Sequence, residues 1–349
     1  MLRKLGVTLG LFTIALAGAV DYYFVSPTPA FSPLRIVSIR KGESLRRIAR
    51  DLADNGIIRS PVPLLLWAKL SGGAARVQPG DYAFAGGEGV ADVMRHLVSG
   101  DFMTVSVTIA EGLTVHQVAL RLGQAGLVCD SRFEDAARHG ALVAALGLGP
   151  LGAEGYLFPA TYRFSPLATT DTILATMLAR FYEILTPAVE EQMFRLGLDA
   201  RELVTLASII EKEAKVSGER PLIAGVFYNR LRLKMPLQSD PTAQYSLEGE
   251  NSRAATAVHT PSAFNTYMIP GLPPGPIANP GLSSIRAALY PVATDYLYFV
   301  ARNDGRHVFS RSFGEHQRAI AAIVAANRDL RAGAPPRART PSARTQWHL

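Results

Sequence analysis

Apolar residues at helical spacing from Leu203 to Ala214 predict the helix around which the rest of the chain is organised. On a helical wheel of about 100° per residue, most of these apolar residues fall on one broad arc. Glu213 falls inside that arc, whereas Glu211 falls on its rim. We therefore expect Glu213 to face the interior or a cleft, and Glu211 to lie at an edge.

A carboxyl group on an apolar helix face has two interpretations. Burial disfavours the charged form and raises the pKa, and a carboxylic acid of raised pKa suits general acid catalysis near neutral pH. Alternatively, Glu213 forms an ion pair with an arginine of another element, such as Arg220 or Arg230. The wheel alone leaves both open. Glu211 is expected to be structural and to pair with Lys215, one turn further on.

A strand, a Gly turn, a Ser or Thr cap and a helix occur twice in the first half, at residues 37–58 and 107–128, without a gap. Between the copies, Gly80–Phe84 is typical of a strand and Val90–Leu97 of a short helix. We predict a small α+β domain over residues 35–128. The pattern at Val37–Ile58 resembles a LysM module, a family that binds the glycan of peptidoglycan; a packing domain without a ligand is the alternative.

From residue 129 to 330 the pattern predicts a larger domain of mixed helices and strands. Pro- and Gly-rich segments after the polar turn Gln238–Thr242 favour loops of defined shape, as the wall of a binding cleft requires. Thr170–Leu196 is predicted to form one or two helices, and the other predicted helices are Leu203–Ala214, Leu222–Leu233, Ser283–Tyr290 and Phe313–Arg331. Tyr296–Ala301 and His307–Phe309 are expected to pair as strands.

The chain ends have their own patterns. Arg3 and Lys4 precede sixteen uncharged, mostly apolar residues, Leu5–Val20, and aromatic residues follow Asp21. This is typical of a signal peptide or a short membrane anchor, and we favour an uncleaved anchor over residues 1–24 with its N-terminus in the cytoplasm. A linker at 25–34 then leads to an exported body, and a basic tail at 331–349 is expected to be disordered. The predicted fold class is therefore α+β, with an N-terminal membrane helix, the LysM-like domain and a catalytic domain with a loop-lined cleft.

Charge and motif content exclude several classes of function. The net charge of +7 falls to +1 for residues 21–330 once the six basic residues of the two ends are subtracted, which argues against nucleic acid as a partner. The single cysteine, Cys129, forms no intramolecular disulfide and fits no zinc spacing. The sequence also lacks a Gly-x-Ser-x-Gly elbow and a phosphate-binding loop. We expect no metal site and no cofactor.

Several motifs in a fixed order carry a resemblance over roughly residues 150 to 325. They are Ala207–Ala214, Glu219-Arg220, Val226–Leu231, Leu237–Thr242, Tyr245, Asn265–Tyr267, Gly271–Ile277, Tyr296–Val300 and His307–Phe309. With them the chain resembles the YceG-like family, the endolytic murein transglycosylases. It departs from that family at Ala160, where an Asp is usual, and at Phe264, where a Tyr is frequent.

The resemblance implies an enzyme that cuts the glycan strand of nascent peptidoglycan internally, at the MurNAc–GlcNAc β-1,4 bond, and leaves a 1,6-anhydro-MurNAc end. The catalytic glutamate of the family aligns with Glu213, which would act first as acid and then as base. Polar residues suited to holding a sugar complete the predicted site. They are Glu219, Gln238, Asp240, Asn265 and Tyr267.

Some of these assignments have alternatives. Glu219 would either tune the acid or form an ion pair with a basic side chain, and Asp240 would either bind substrate or cap a turn before Pro241. Asp240 is also the carboxylate that would turn the enzyme into a two-acid hydrolase with Glu213. A further alternative is a peptidoglycan-binding adaptor without catalysis. The expected partners are peptidoglycan glycan strands, the inner membrane and cell-wall synthases; His307 and His316 are expected to be structural.

Overall fold

The computed structural model describes residues 13, 15, 17–30, 32–245, 247 and 257–332. Helices and short antiparallel sheets alternate along these residues, which confirms the mixed α+β class predicted from the sequence. The helices are α1 (Leu45–Asp54), α2 (Pro61–Ser71), α3 (Val90–Ser99), α4 (Val115–Gln124), α5 (Asp130–His139), α6 (Ala141–Ala145), α7 (Thr170–Tyr182), α8 (Pro187–Leu196), α9 (Ala200–Glu213), α10 (Arg220–Arg232), α11 (Asp240–Tyr245), α12 (Leu282–Leu289) and α13 (Phe313–Ala332).

The strands of the described residues form antiparallel pairs. They are β1 (Arg35–Ile39) with β2 (Gly80–Phe84), β3 (Val105–Thr108) with β4 (Thr161–Phe164), and β5 (Tyr298–Ala301) with β6 (His307–Ser310). In the last pair Tyr298 is opposite Ser310, so the hairpin predicted at this place is confirmed.

The described residues divide into two compact units. The first contains residues up to Ile109 together with His116–Leu142 and Ala160–Thr176, and the second contains Ala110–Val115, Val143–Pro159 and the residues from Met177 onward. The first unit therefore extends beyond residue 128, where the sequence pattern placed a domain boundary.

The two repeat copies fold alike. β1 leads through a turn into α1, and β3 leads through a turn into α4. The turn glycines Gly42 and Gly112 have φ values of 83° and 76°, a left-handed conformation that glycine adopts without strain. Tyr82 and Phe84 of β2 are almost fully buried with Leu52 of α1 in the core of the first unit. The strand–helix repeat is thus present, while the binding of glycan by the LysM-like segment stays a prediction.

Helix α9 lies at the centre of the second unit. Every residue from Leu203 to Ile210 is buried, and the helix packs against α10 and α12. A capping box starts it: Glu202 N donates to Asp199 Oδ1 at 2.8 Å, and Asp199 N donates to Glu202 Oε2 at 2.9 Å. At the other end, Ala214 leaves the helical conformation and has extended backbone angles, φ −79° and ψ 111°. Glu213 is therefore the last helical residue of a buried helix.

The predicted anchor and tail fall largely on residues that the structure does not describe. Most of residues 1–24 lie outside the described residues; within the described part, Asp21–Val25 forms a π-helix. Among the described residues no single helix has the length and hydropathy to cross a bilayer, although the bent pair α7 and α8 meets that test when taken together. Residues 333–349 of the predicted tail also lie outside the described residues.

Candidate active site

A cleft of about 510 Å³ opens in the second unit at the C-terminal end of α9. Its lining combines the end of one helix, a loop, the β5–β6 hairpin and one face of α13. The residues are Glu213, Arg230, Leu237, Gln238, Asp240, Tyr267, Tyr298, Phe299, Val300, Ala301, His307, Phe313, His316 and Ile320. Four of the predicted site residues thus line the same cleft: Glu213, Gln238, Asp240 and Tyr267.

The carboxyl group of Glu213 is held by a serine hydroxyl. Ser239 Oγ donates to Glu213 Oε1 at 2.5 Å. Ser239 is itself buried, and its backbone N–H donates to Thr266 Oγ1 at 3.0 Å. Thr242 Oγ1 in turn donates to the carbonyl of Ser239 at 2.6 Å. Since Oε1 accepts the serine hydroxyl, Oε2 is left to carry a proton on the acid form.

The surroundings of Glu213 favour its protonated form. Burial raises its pKa to about 7, the hydrogen bond from Ser239 lowers it, and the nearby charge of Asp240 raises it. Its position at the negative end of the α9 dipole acts in the same direction as burial. Glu213 is only partly exposed, because its carboxyl group opens into the cleft while the helix behind it is buried. The sequence-based expectation of an inward-facing acid with raised pKa matches this geometry.

Neither candidate arginine forms an ion pair with Glu213 among the contacts of the described residues. Arg230 Nε donates to the carbonyl of Leu297 at 2.7 Å, and Arg230 Nη1 donates to the carbonyl of Pro236 at 2.9 Å and to Gln238 Oε1 at 3.0 Å. These acceptors hold the guanidinium group at the cleft wall, 5.0 Å from the centre of the Tyr298 ring. Burial lowers the pKa of Arg230, although the side chain stays cationic.

Gln238 and Asp240 lie on either side of Ser239 at the cleft. Gln238 has a left-handed backbone, φ 53°, which is uncommon for a residue with a side chain and is stabilised by the Arg230 bond to its Oε1. Asp240 Oδ1 accepts a hydrogen bond from the Tyr267 hydroxyl at 2.5 Å. Burial and this bond raise the pKa of Tyr267, so the phenol stays the donor. The expected polar turn continues directly into α11, which begins at Asp240.

Glu219 forms a pair with His307 of β6. Glu219 Oε2 lies 2.7 Å from His307 Nδ1, and Glu219 Oε1 accepts from the His307 backbone N–H at 3.2 Å. Of the two sequence-based alternatives, the structure therefore shows the pair with a basic side chain. Glu219 is not in the cleft lining, whereas His307 is. Glu219 positions His307, which was expected to be structural and instead lines the cleft.

Glu211 does not pair with Lys215, and that prediction was wrong. Its Oε1 accepts from Arg220 Nη2 at 2.9 Å, and its Oε2 accepts from Ser284 Oγ at 2.8 Å and from the backbone N–H of Gly281 at 3.0 Å. The Glu211 side chain is only 7% exposed, so it lies inside the fold rather than at an edge. The wheel missed this because the covering residues come from α10 and from the start of α12. A structural role for Glu211 agrees with these bonds.

The side chain of Asn265 is used by its own loop. It is fully buried, and Nδ2 donates to the backbone carbonyls of Val258 at 3.1 Å and Thr260 at 2.8 Å. Its Oδ1 accepts the Tyr267 backbone N–H at 3.0 Å. These bonds revise its assignment as a sugar-binding residue: Asn265 fixes the loop that presents Tyr267, and it has no amide group facing the cleft.

Ser239, Tyr298 and His316 lie at or next to the cleft but were not predicted as site residues, because their positions depend on tertiary structure. In the sequence Ser239 belongs to a polar turn and Tyr298 to an alternating strand, and both lie within motifs of the family resemblance. His316 packs its ring on Tyr298 at 5.3 Å, and its Nδ1 is buried with no hydrogen-bond partner among the described residues. Burial and the charge of Arg230 lower the pKa of His316, so its ring is neutral at pH 7.

The chain is similar to known proteins over most of its length. The model of the YceG-like family matches residues 37–322. A curated relative from Bacillus subtilis (strain 168), named endolytic murein transglycosylase, is 33% identical over 312 residues, covering 81% of this chain and 83% of the relative. A relative of the same name from Streptococcus pneumoniae serotype 2 is 30% identical over 321 residues, covering 82% of this chain and 58% of the relative.

A solved structure gives the same result for the fold. The crystal structure of a yceG-like protein from Listeria monocytogenes matches with a TM-score of 0.57 and 29% sequence identity, covering 82% of this chain and 99% of that chain. The family match spans more than half of the sequence, and the first relative is matched over most of its own length. The chain therefore belongs to the YceG-like family and is a lytic transglycosylase, an enzyme of the lyase class.

Proposed function

We propose that this chain cleaves the MurNAc–GlcNAc β-1,4 bond inside nascent peptidoglycan glycan strands and leaves a 1,6-anhydro-MurNAc end, with Glu213 as both acid and base. The observation that carries the proposal is the state of Glu213: a carboxyl group with a pKa of about 7, opening into a cleft at the end of a buried helix. Such a group is a proton donor near neutral pH and a base once it has given up its proton.

The proposed reaction needs no water and no second carboxylate. Glu213 donates its proton to the glycosidic oxygen as the bond between that oxygen and the anomeric carbon breaks. The 6-hydroxyl of the same MurNAc then attacks the anomeric carbon, and the carboxylate of Glu213 takes the proton of that hydroxyl. The acid is thereby regenerated, and the new C–O bond closes the anhydro ring. Ser239 holds Oε1 throughout, so that one oxygen, Oε2, exchanges the proton.

The other cleft residues suit a sugar ligand. Gln238, Asp240 and Tyr267 bring amide, carboxylate and phenol groups to the cleft that contains Glu213, and Tyr298 lines the cleft on the hairpin side. The buried Nδ1 of His316 lacks a partner among the described residues and would accept a hydrogen bond from a sugar hydroxyl or an N-acetyl N–H. We assign substrate binding to these residues and a positioning role to Glu219 through His307.

A two-carboxylate hydrolase is the second candidate, since Asp240 lines the same cleft as Glu213. Tyr267 favours the first candidate, because its hydroxyl hydrogen-bonds the Asp240 carboxylate at 2.5 Å and restrains it. In a hydrolase the second carboxylate acts as nucleophile or activates a water. The two candidates differ in their products: an anhydro end in one case, and a reducing end in the other.

The test compares wild type with three variants on isolated glycan strands, with the products identified by mass spectrometry. We expect anhydro ends from wild type, from Asp240→Asn and from the control Glu191→Gln, whose site is a surface ion pair with Arg195 on α8. We expect no product from Glu213→Gln, which keeps size and removes the acid. Reducing ends that vanish in Asp240→Asn would instead establish the hydrolase. Binding of strands by the wild-type chain with no product at all would leave a glycan-binding adaptor as the function.

The cellular setting follows from the sequence pattern. We propose that residues 1–24 form a retained single-pass anchor in the inner membrane, with the N-terminus in the cytoplasm and both units in the periplasm. Arg3 and Lys4 before the apolar run support this orientation. There the enzyme would act beside the cell-wall synthases. A comparison of the mass of the purified chain with that of the full sequence tests whether the segment is retained.

A further inference from the structure

Helix α2 of the first unit exposes a row of apolar side chains that the proposed reaction does not use. Val62, Leu66 and Leu70 follow one another at intervals of four residues and are 65%, 45% and 75% exposed. Trp67 borders the row and is 40% exposed. Leu64 and Ala68, on the opposite side of the helix, are fully buried. The helix is therefore apolar on both faces, and only one of them is covered by the core of the first unit.

The place where the N-terminal apolar run ends lies beside this helix. The π-helix Asp21–Val25, which directly follows Leu5–Val20, packs against α2 and α3. Arg59, just before α2, fixes this junction: its Nη1 donates to the carbonyl of Tyr22 at 2.8 Å, its Nη2 donates to the carbonyl of Pro27 at 2.7 Å, and its guanidinium lies 4.3 Å from the centre of the Tyr22 ring. The end of the apolar run thus lies next to the helix that carries the exposed row.

The chain segment that contains the row is basic, which favours contact with anionic lipid headgroups. Between Asp54 and Asp81 the chain has three basic residues, Arg59, Lys69 and Arg76, and no acidic one. Trp67 is partly exposed, as are Tyr22 and Tyr23 at 51% and 42%. Tryptophan and tyrosine prefer the interface between water and lipid, and basic residues are attracted to anionic headgroups. An ordinary protein partner would not require this combination of aromatic residues and positive charge next to a membrane segment.

We propose that the exposed row of α2, formed by Val62, Leu66, Trp67 and Leu70, inserts into the outer surface of the bilayer in which the N-terminal run is embedded. The first unit would then lie on the membrane through two contacts, the anchor and α2, rather than hang from a flexible tether. This second contact would fix the height and orientation of the first unit above the lipid surface. The proposal rests on the anchor prediction and is independent of the reaction assigned to Glu213.

The chain carries its own probe for this contact. Trp67 and Trp347 are its two tryptophans, so Trp347→Phe leaves Trp67 as the single source of tryptophan fluorescence. The full-length variant would be reconstituted into vesicles of phosphatidylethanolamine and phosphatidylglycerol, with or without bromine on the acyl chains. Bromine quenches a tryptophan that lies at acyl-chain depth. We expect Trp67 emission to shift to the blue on reconstitution and to be strongly quenched by the brominated lipid.

Substitution distinguishes the helix from the anchor. In the same background, Leu66→Gln with Leu70→Gln should abolish most of the quenching while the chain still sediments with the vesicles. Both side chains are exposed, so the fold should be kept, and circular dichroism checks this. Phe194→Gln, an 86% exposed apolar residue of the second unit, is the matched control and should leave the quenching unchanged.

Two results would overturn the proposal. The first is Trp67 emission that is not quenched by brominated lipid but is quenched by aqueous iodide, in a chain that sediments with vesicles. The anchor would then be in the membrane and α2 would face water. The second is cross-linking between copies through Leu70→Cys in a Cys129→Ser background, without lipid quenching. The row would in that case be covered by a second copy of the chain.

Discussion

Replacing Glu213 by glutamine should abolish activity and at the same time stabilise the second unit at alkaline pH. In the folded chain the pKa of Glu213 is about 7, against an ordinary value of 4.5. Folding therefore takes up a proton between pH 4.5 and 7, and the free energy of unfolding falls as the pH rises through this window. At about 1.4 kcal/mol per pKa unit, the penalty reaches a ceiling of about 3 kcal/mol above pH 7. Glutamine at position 213 is neutral at every pH and therefore avoids this loss of stability.

Hydrogen exchange of the α9 amides measures this effect in the unit that contains the site. Wild type and Glu213→Gln are compared at the same pH, so that the intrinsic exchange rate cancels. We expect the two proteins to show similar protection at pH 4.5 and the variant to be up to about 100-fold better protected at about pH 8, which corresponds to the 3 kcal/mol ceiling. Glu191→Gln on α8 serves as control and should show no such pH-dependent gap.

An equal difference in protection between wild type and Glu213→Gln at both pH values would refute this reasoning. It would mean that the carboxyl group of Glu213 titrates like one in water, and that burial at the end of α9 does not hold the proton. The assignment of a general acid would then lose its physical basis, even if the variant were inactive.

Three further substitutions test the surroundings of the acid. Ser239→Ala removes the hydroxyl that lowers the pKa of Glu213, so the alkaline limb of kcat/KM should move up by about one pH unit in a pH profile; an unmoved limb would contradict the hydrogen bond. Tyr267→Phe removes a phenol that lines the cleft and restrains Asp240, so KM for glycan strands should rise about tenfold, as expected for one lost hydrogen bond to the sugar, while the anhydro end is kept; an unchanged KM would contradict the assignment of Tyr267 to substrate binding. Glu211→Gln leaves Arg220 buried without its carboxylate and should cost about 3–5 kcal/mol in urea unfolding, whereas a loss below 1 kcal/mol would contradict a structural ion pair.

The sequence was informative where a feature is local to one element. The period of apolar residues predicted α9 and placed Glu213 inward, and the resulting geometry agrees. The repeat at an offset of 70 residues predicted two strand–turn–helix units, because glycine turns and Ser or Thr caps are local signals. The alternating strands around Gly305 formed the expected hairpin.

The sequence was less informative where the role of a residue depends on its contacts with residues that are distant in the sequence. Glu211 looked peripheral because the wheel cannot show Arg220 and Ser284, which bury it. Asn265 looked like a sugar ligand because nothing in the sequence shows that its amide closes its own loop. Ser239 was not predicted as a site residue, because serine is common in polar turns and only the fold brings its hydroxyl to Glu213.

The most direct test of the central claim is cleavage of glycan strands by the wild-type chain in water that carries the heavy isotope of oxygen. A single carboxylate that acts as acid and then as base uses the 6-hydroxyl of the sugar, so water does not enter the new end. We predict products without the heavy isotope, with anhydro ends and with a rate that falls as the pH rises above about 7. Incorporation of one heavy oxygen per cleavage would show that water is the nucleophile, and it would contradict the assignment of both steps to Glu213.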